Sequence, residues 1–304
     1  MMAGIGRIAT GYQSQQSNQW LQQSQVRLNK IQEQASLGKK IIRASDDPLG
    51  LTQLLSVTRS MNEDEQYIKN IATGVSELKA TDAAMTQMVE ILQRAKELAT
   101  QGSNVTTGAS GMLSISKEVN LLTDQLVQLG NFKQGDIQLF AGAITNTVPY
   151  TRVGDVVTYA GTPATGNFQR QIDVAKNSSV TLNVTGDTLL GDTTAGVFKT
   201  MIDLKNALAA ADTTTTRTQL DLLTTQMNSL LSNQATIGST LNQLNATQDR
   251  TQTRQDSSAQ LYSTLQDVDM PKLVTDLRFQ EQINQSSLGV MARILPQTLF
   301  SFLR

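Results

Sequence analysis

The sequence predicts a mainly α protein: an elongated antiparallel helical bundle with a terminal coiled coil and one small inserted β domain. Three observations carry this. All five prolines stand at positions 48, 149, 163, 271 and 296, so 49–148 and 164–270 have none. Proline breaks helix interiors, and its absence leaves room for very long helices. Apolar residues recur with alternating spacings of three and four across both gaps. Between 142 and 191 the composition turns to Gly, Pro and Thr, with short period-two runs.

The N-terminal seam is Leu21, Ser24, Leu28, Ile31 and Ala35. After Pro48 a second run passes through Ile68, Ile71, Val75, Leu78, Asp82, Met85, Val89, Leu92 and Ala99. Three glycines between 102 and 111 mark a helix–helix turn. A third run follows at Met112, Ile115, Val119, Leu122, Leu126 and Leu129. Each helix alone would expose its stripe, so the three long central runs must pack on one another.

The centre reads as about four strands. Val156–Tyr159 is one candidate, Ile172 and Val174 flank Asp173 in another, and Val180, Leu182 and Val184 alternate with polar residues. This segment shares no seam with the helices and is expected to be a separable insertion. A short helix near 197–211 follows, and Asp212 with Thr213–Thr216 reads as a solvated connection. The longest run begins at Leu220 and passes through Leu223, Met227, Leu230, Gln234, Ile237, Leu241 and Leu244 to Leu265, roughly 70 Å of helix at 1.5 Å per residue. Its seam is polar from Gln248 to Ser258.

The last helix carries two stripes. One is Val274, Leu277, Glu281, Asn284, Leu288, Met291 and Leu295; the other is Phe279, Ile283, Val290 and Ile294. One thin helix pair cannot bury two faces, so this helix wants further neighbours. The expected division is 1–45 with 266–304 as a terminal assembly domain, 46–141 with 197–265 as the bundle, and 142–196 as the β domain.

Composition excludes several functions. Lys plus Arg is 25 and Asp plus Glu is 26, a net charge of −1. That leaves no basic excess for nucleic acid. Charged residues are 17%, below the usual quarter of a soluble chain, and 33 Gln and 37 Thr supply polarity instead. There is no Cys and no His. Disulfides, thiol nucleophiles, the commonest general base and the usual zinc ligands are therefore missing. No GxxxxGK[ST] or strand-borne GxGxxG occurs. No enzyme, cofactor or metal is expected. No apolar run reaches the ~20 residues of a membrane span, and the Gln- and Ser-rich first 30 residues have no apolar signal core.

Asp46-Asp47 is the only conspicuous acidic pair between helical segments. It reads either as a cation site or as a helix start, with Asp47 as cap and Pro48 at the first helical position. Tyr12, Trp20, Phe300 and Phe302 read as packing residues of the terminal helices rather than stacking groups for a ligand.

Gly38-Lys39-Lys40-Ile41 followed by Ser45-Asp46-Asp47-Pro48 resembles the N-terminal signature of the hook-associated protein 3 family of the flagellin superfamily. Arg7-Ile8-Ala9-Thr10 resembles that family's opening, which makes 1–6 a short extension. Leu139-Phe140-Ala141-Gly142, Pro149-Tyr150 and Tyr159-Ala160-Gly161 resemble the entry to its β domain. Asp267-Val268-Asp269 and Leu299-Phe300-Ser301-Phe302-Leu303 resemble its C-terminal end.

The resemblance implies a flagellin-like fold and a structural role in the bacterial flagellum. It implies an adaptor at the hook–filament junction, linking hook-associated protein 1 to the flagellin filament and forming a ring with copies of itself. It further implies secretion through the flagellar type III channel with the help of an export chaperone. The assembly interface would be Leu21, Leu28, Ile31, Val274, Leu277, Phe279, Ile283, Leu288, Met291, Leu295 and Phe300. Ile294-Leu295-Pro296-Gln297 is closer to the tail of flagellin itself, so a flagellin-type filament subunit stays open as the alternative.

Overall fold

The computed structural model describes residues 3–162 and 170–302, with side chains described from Tyr12 to Ala292 except at positions 13, 14, 105 and 163–169. In chain order the elements are α1 Ala3–Leu37, α2 Pro48–Gly102, a 3-10 turn at Val105–Thr107 and α3 Gly108–Gly130. The strands β1 Lys133–Gln134, β2 Ile137–Gln138, β3 Tyr150–Val153, β4 Val156–Tyr159, β5 Gln171–Ala175 and β6 Ser178–Thr181 come next. The helices α4 Gly186–Leu189, α5 Val197–Ala209, α6 Thr213–Gln266 and α7 Met270–Phe302 complete the chain. Internal contacts divide it into two units, Met1–Asn62 with Gln255–Arg304 and Glu63–Arg254.

The second unit owes its core to heptads. On α2, Ile71, Leu78, Met85, Leu92 and Ala99 are all buried, one every seven residues. Gly74, Thr81, Met88, Ala95 and Gly102 form a parallel buried stripe. On α6, Leu223, Leu230, Ile237 and Leu244 repeat the pattern, while Leu220, Met227 and Leu241 are only partly covered. The predicted seam of α6 is thus one fully buried row beside a half-buried one. Gln234 Nε2 donates to Asp82 Oδ1 at 3.0 Å and to Thr86 Oγ1 at 2.9 Å, which ties α6 to α2. The heptad row of α2 continues backwards into Asp64, a buried carboxylate that accepts from Arg254 Nε at 2.8 Å and from its Nη2. A charge at a core position needs such a partner.

The Thr run differs from expectation. Thr213–Thr216 is the first turn of α6, because Asp212 caps it: the N–H groups of Thr214 and Thr215 donate to Asp212 Oδ1 at 3.0 and 3.1 Å. Thr216 is fully buried.

The β segment also differs. Among the described residues it holds two separate antiparallel hairpins, β3–β4 and β5–β6; a third, β1–β2, precedes it, and no larger sheet forms. The β3–β4 and β5–β6 hairpins lay a face on helices instead of on another sheet. Tyr150, Val157, Val174, Val180 and Leu182 belong to one hydrophobic cluster with Leu126 of α3 and Phe198 of α5. The Tyr150 ring lies 5.0 Å from that of Phe198 and 5.1 Å from that of Tyr159. Burial pushes the Tyr150 hydroxyl pKa up. The segment expected at 142–196 thus places Tyr150, Val157, Val174 and Val180 in one hydrophobic cluster with the helices.

Side chains fix the β3–β4 hairpin. Arg152, opposite Val157, donates from Nη1 to Asp124 Oδ1 at 2.6 Å and to the Asn120 carbonyl at 3.2 Å, both on α3. Just after α3, Asn131 Nδ2 donates to the Tyr150 carbonyl, and the Tyr150 N–H donates to Asn131 Oδ1, both at 2.8 Å. On the other strand, Thr193 donates its N–H to the Val157 carbonyl at 3.1 Å, and its Oγ1 accepts the Val157 N–H at 2.6 Å.

Candidate assembly surface on the terminal helices

The first unit starts from a glycine. Gly38 ends α1 with φ of +66°, a left-handed conformation that only glycine adopts without strain. Its N–H donates to the Gln34 carbonyl at 2.9 Å. The chain then turns against the link between α6 and α7: Lys40 N–H donates to the Gln266 carbonyl at 2.6 Å, and Val268 N–H to the Gly38 carbonyl at 3.2 Å. Lys39 and Asp267 form an antiparallel bridge.

The acidic pair is occupied by this turn. Asp47 Oδ1 accepts the Gly50 N–H at 2.8 Å, which is N-cap geometry ahead of Pro48. Asp46 Oδ2 accepts the N–H groups of Ile42 and Arg43 at 3.2 and 3.0 Å, and its Oδ1 meets Lys30 Nζ at 2.7 Å. The Lys30 ammonium first, then the backbone N–H of Arg43, hold the Asp46 carboxyl at a pKa of about 2. Both carboxylates are committed to closing a loop. Among the described residues no group of three acidic side chains gathers to hold a metal ion.

From this turn α1 and α7 run antiparallel. Leu21, Leu28 and Ile31 are half-buried, as are Leu277 and Ile283, and Met291 is buried. Val274, Phe279 and Leu288 point to solvent. The side chains of Leu295 and Phe300, and of Phe302, lie outside the described residues. The inward row of α7 is Leu273, Leu277, Gln280, Asn284, Ser287 and Met291. It coincides with the predicted stripe at 277, 284 and 291 and lies one residue before it at 273, 280 and 287. The reason is polar: Gln280 Nε2 donates to Ser24 Oγ at 3.0 Å and to the Ser24 carbonyl at 3.3 Å, and this draws the amide inside. Sequence reasoning did not single out Gln280 because a glutamine row carries no apolar signal.

The outward face holds what would ordinarily be core. Trp20 is 63%, Phe279 64% and Val290 54% exposed, whereas Ser24 and Gln280 are 7% and 9% exposed. Trp20, expected as packing, is a surface residue here, and so is Tyr12. Trp20 and Leu21 of α1 with Phe279, Ile283, Val290 and Met291 of α7 line a groove of about 430 Å³. Its remaining lining is Ser17, Gln282, Ser286 and Ser287, with no titratable group. A surface of this kind offers contact area and no acid–base chemistry. No helix among the described residues is long and apolar enough to cross a membrane.

Two family models match this chain: the bacterial flagellin N-terminal helical region over residues 8–145 and the bacterial flagellin C-terminal helical region over 220–303. Flagellar hook-associated protein 3 of Escherichia coli is 25% identical, over 97% of this chain and 98% of its own. Flagellin of Bacillus subtilis is 26% identical, over 90% of this chain and 92% of its own. The crystal structure of flagellar hook associated protein-3 from Legionella pneumophila superposes with a TM-score of 0.62 at 16% identity, over 69% of this chain and 98% of that one.

Proposed function

Because the chain belongs to the bacterial flagellin family, we propose that it is a structural adaptor at the hook–filament junction of the flagellum. In this reading it joins hook-associated protein 1 on one side to the flagellin filament on the other, as a ring of its own copies. The end-to-end similarity to hook-associated protein 3 supports the junction over other flagellar positions.

One observation carries the mechanism. The α1–α7 pair buries Ser24 with Gln280 while Trp20, Phe279 and Val290 stay in water. Fully burying a large apolar side chain is worth about 1.5–3 kcal/mol, so covering these three releases free energy that the isolated chain cannot gain. Neighbouring subunits and lattice partners would supply the cover. Leu21, Leu28, Ile31, Leu277, Ile283 and Met291 hold the pair together, while Val274, Phe279 and Leu288 meet the neighbours. Secretion through the flagellar export channel, with a chaperone shielding the apolar ends, belongs to the same reading. A cysteine-free chain suits such passage.

The match to flagellin itself favours a second reading, a filament subunit. Deleting the gene separates the two. A junction adaptor leaves flagellin made and shed into the medium, with hooks that carry no filament. Loss of the bulk filament protein itself, or thousands of copies of this chain per filament, would replace the junction with the filament reading.

A further inference from the structure

We propose that the buried Ser24–Gln280 contact is a register lock: it selects the one axial alignment of α1 against α7 in which both helices complete the apolar groove. The assignment of that groove to assembly rests on the function proposed above; the lock itself does not.

The geometry points to alignment rather than to stability. The Ser24–Gln280 contact and the Lys39–Asp267 bridge fix an antiparallel pairing. In that pairing Ile31 stands level with Leu273, Leu28 with Leu277, Ser24 with Gln280, and Leu21 with Ile283. Two apolar levels can be exchanged: a one-turn slide, about 5.4 Å, sets Ile31 against Leu277 or, the other way, Leu28 against Leu273. The polar level is not interchangeable. After a one-turn slide the Gln280 amide faces Leu21 or Leu28 and its donor goes unmet, and an unsatisfied buried donor is costly. A buried polar residue in an apolar helix seam is the known physical means of fixing register at some expense of stability. Further along the row, Asn284 Oδ1 is buried with no hydrogen-bond partner, so the seam is not optimised for strength.

Register has a consequence on the outer face. Trp20 and Leu21 line the groove from one helix, and Phe279, Ile283, Val290 and Met291 from the other. Slide one helix by a turn and the two halves no longer meet. Ser24 and Gln280 touch nothing in the groove and are therefore positioning residues, setting which composite surface a neighbour finds.

The chain has no cysteine, so introduced pairs report without background. Two pairs are placed in the full-length protein: Leu21→Cys with Ile283→Cys reads the observed alignment, and Leu21→Cys with Ser287→Cys reads a one-turn slide. Under oxidation the first pair should cross-link about tenfold more than the second, the ratio set by one unmet buried hydrogen bond. With Ser24→Leu and Gln280→Leu added, the ratio should fall towards one while circular dichroism keeps its helix content. Ser24→Thr, which retains the hydroxyl, should keep the ratio and guards against a double variant that fails to fold. An unchanged ratio in the Leu/Leu background, or equal cross-linking without it, overturns the lock. Redistributed cross-links with assembly intact uphold the lock and remove the assembly reading of the groove instead.

Discussion

The 63–254 unit and the α1–α7 pair use the same three-four spacing for opposite ends. In α2 and α6 the fully buried heptad rows are Ile, Leu, Met and Ala, and the charge that continues the row of α2, Asp64, is bonded to Arg254. In α1 and α7 a bonded serine and glutamine are buried beside Leu273 and Met291, while Trp20, Phe279 and Val290 face out. Periodicity identifies a helix face but does not say what covers it. The first region is complete in itself. The second has an inside suited to alignment and an outside suited to a partner.

The sharpest test of that contrast lies in the first region. Phe198→Ala should destabilise the protein by about 3–5 kcal/mol, because the ring is wholly buried against Tyr150. Urea melts measure this, and a loss below about 1 kcal/mol would mean that the hairpins and helices do not share a core.

Next in size is Arg254→Leu. It leaves Asp64 buried without its ion-pair partner and should cost about 1–3 kcal/mol, since the arginine itself is half exposed. Asp64→Leu combined with Arg254→Leu should recover most of the loss, because replacing both partners by apolar groups is often neutral. The same melts, run as a double-mutant cycle, decide it.

Trp20→Ser with Phe279→Ser should behave in the reverse manner. Stability should move by no more than about 0.5 kcal/mol, as for other exposed positions, while co-sedimentation with flagellar lattices is lost. Destabilisation by several kcal/mol would place these rings in an internal core and erase the contrast.

The smallest effect is a titration. Asp46 has its carboxyl held at about 2, below its ordinary 3.8. A carboxylate depressed on folding adds stability that is fully present above its unfolded pKa and is lost as pH falls through the folded one, here between about 4 and about 2. Its exposed partner makes the contribution small. Proton–carbon NMR should find the midpoint near 2, and Lys30→Met should move it up toward the ordinary value. No movement would mean that the backbone N–H groups of Ile42 and Arg43 act alone.

Much of this was legible in the residues. The long helices followed from absent prolines and apolar recurrence: α2 begins at Pro48 and ends at Gly102, and α3 begins at Gly108, inside the predicted turn at 102–111. The turn at Asp46-Asp47 could be read as a cap because Asp before Pro has that chemistry at a helix start. What escaped had polar causes. Thr213–Thr216 looks like a linker until Asp212 is seen to cap it. The inward row of α7 was displaced by one residue at Gln280 because only the Ser24 partner, 256 positions away, makes an amide at home there. The pairing of strands as isolated hairpins was hidden for a similar reason: period-two alternation says that one face is covered, and helices cover it as well as a sheet would.

The β3–β4 hairpin has one further consequence. Among the described residues neither of its outer margins adjoins another strand: Asn131 occupies the backbone groups of Tyr150 on one side, and Thr193 those of Val157 on the other. A strand neighbour can slip by two residues and bond again, and an open margin invites foreign chains to add on. An amide or a hydroxyl fits one address and offers nothing beyond it. In a chain proposed to join a polymer, these two side chains act as stoppers: growth by strand addition is closed off there, and ordered stacking is left to helices.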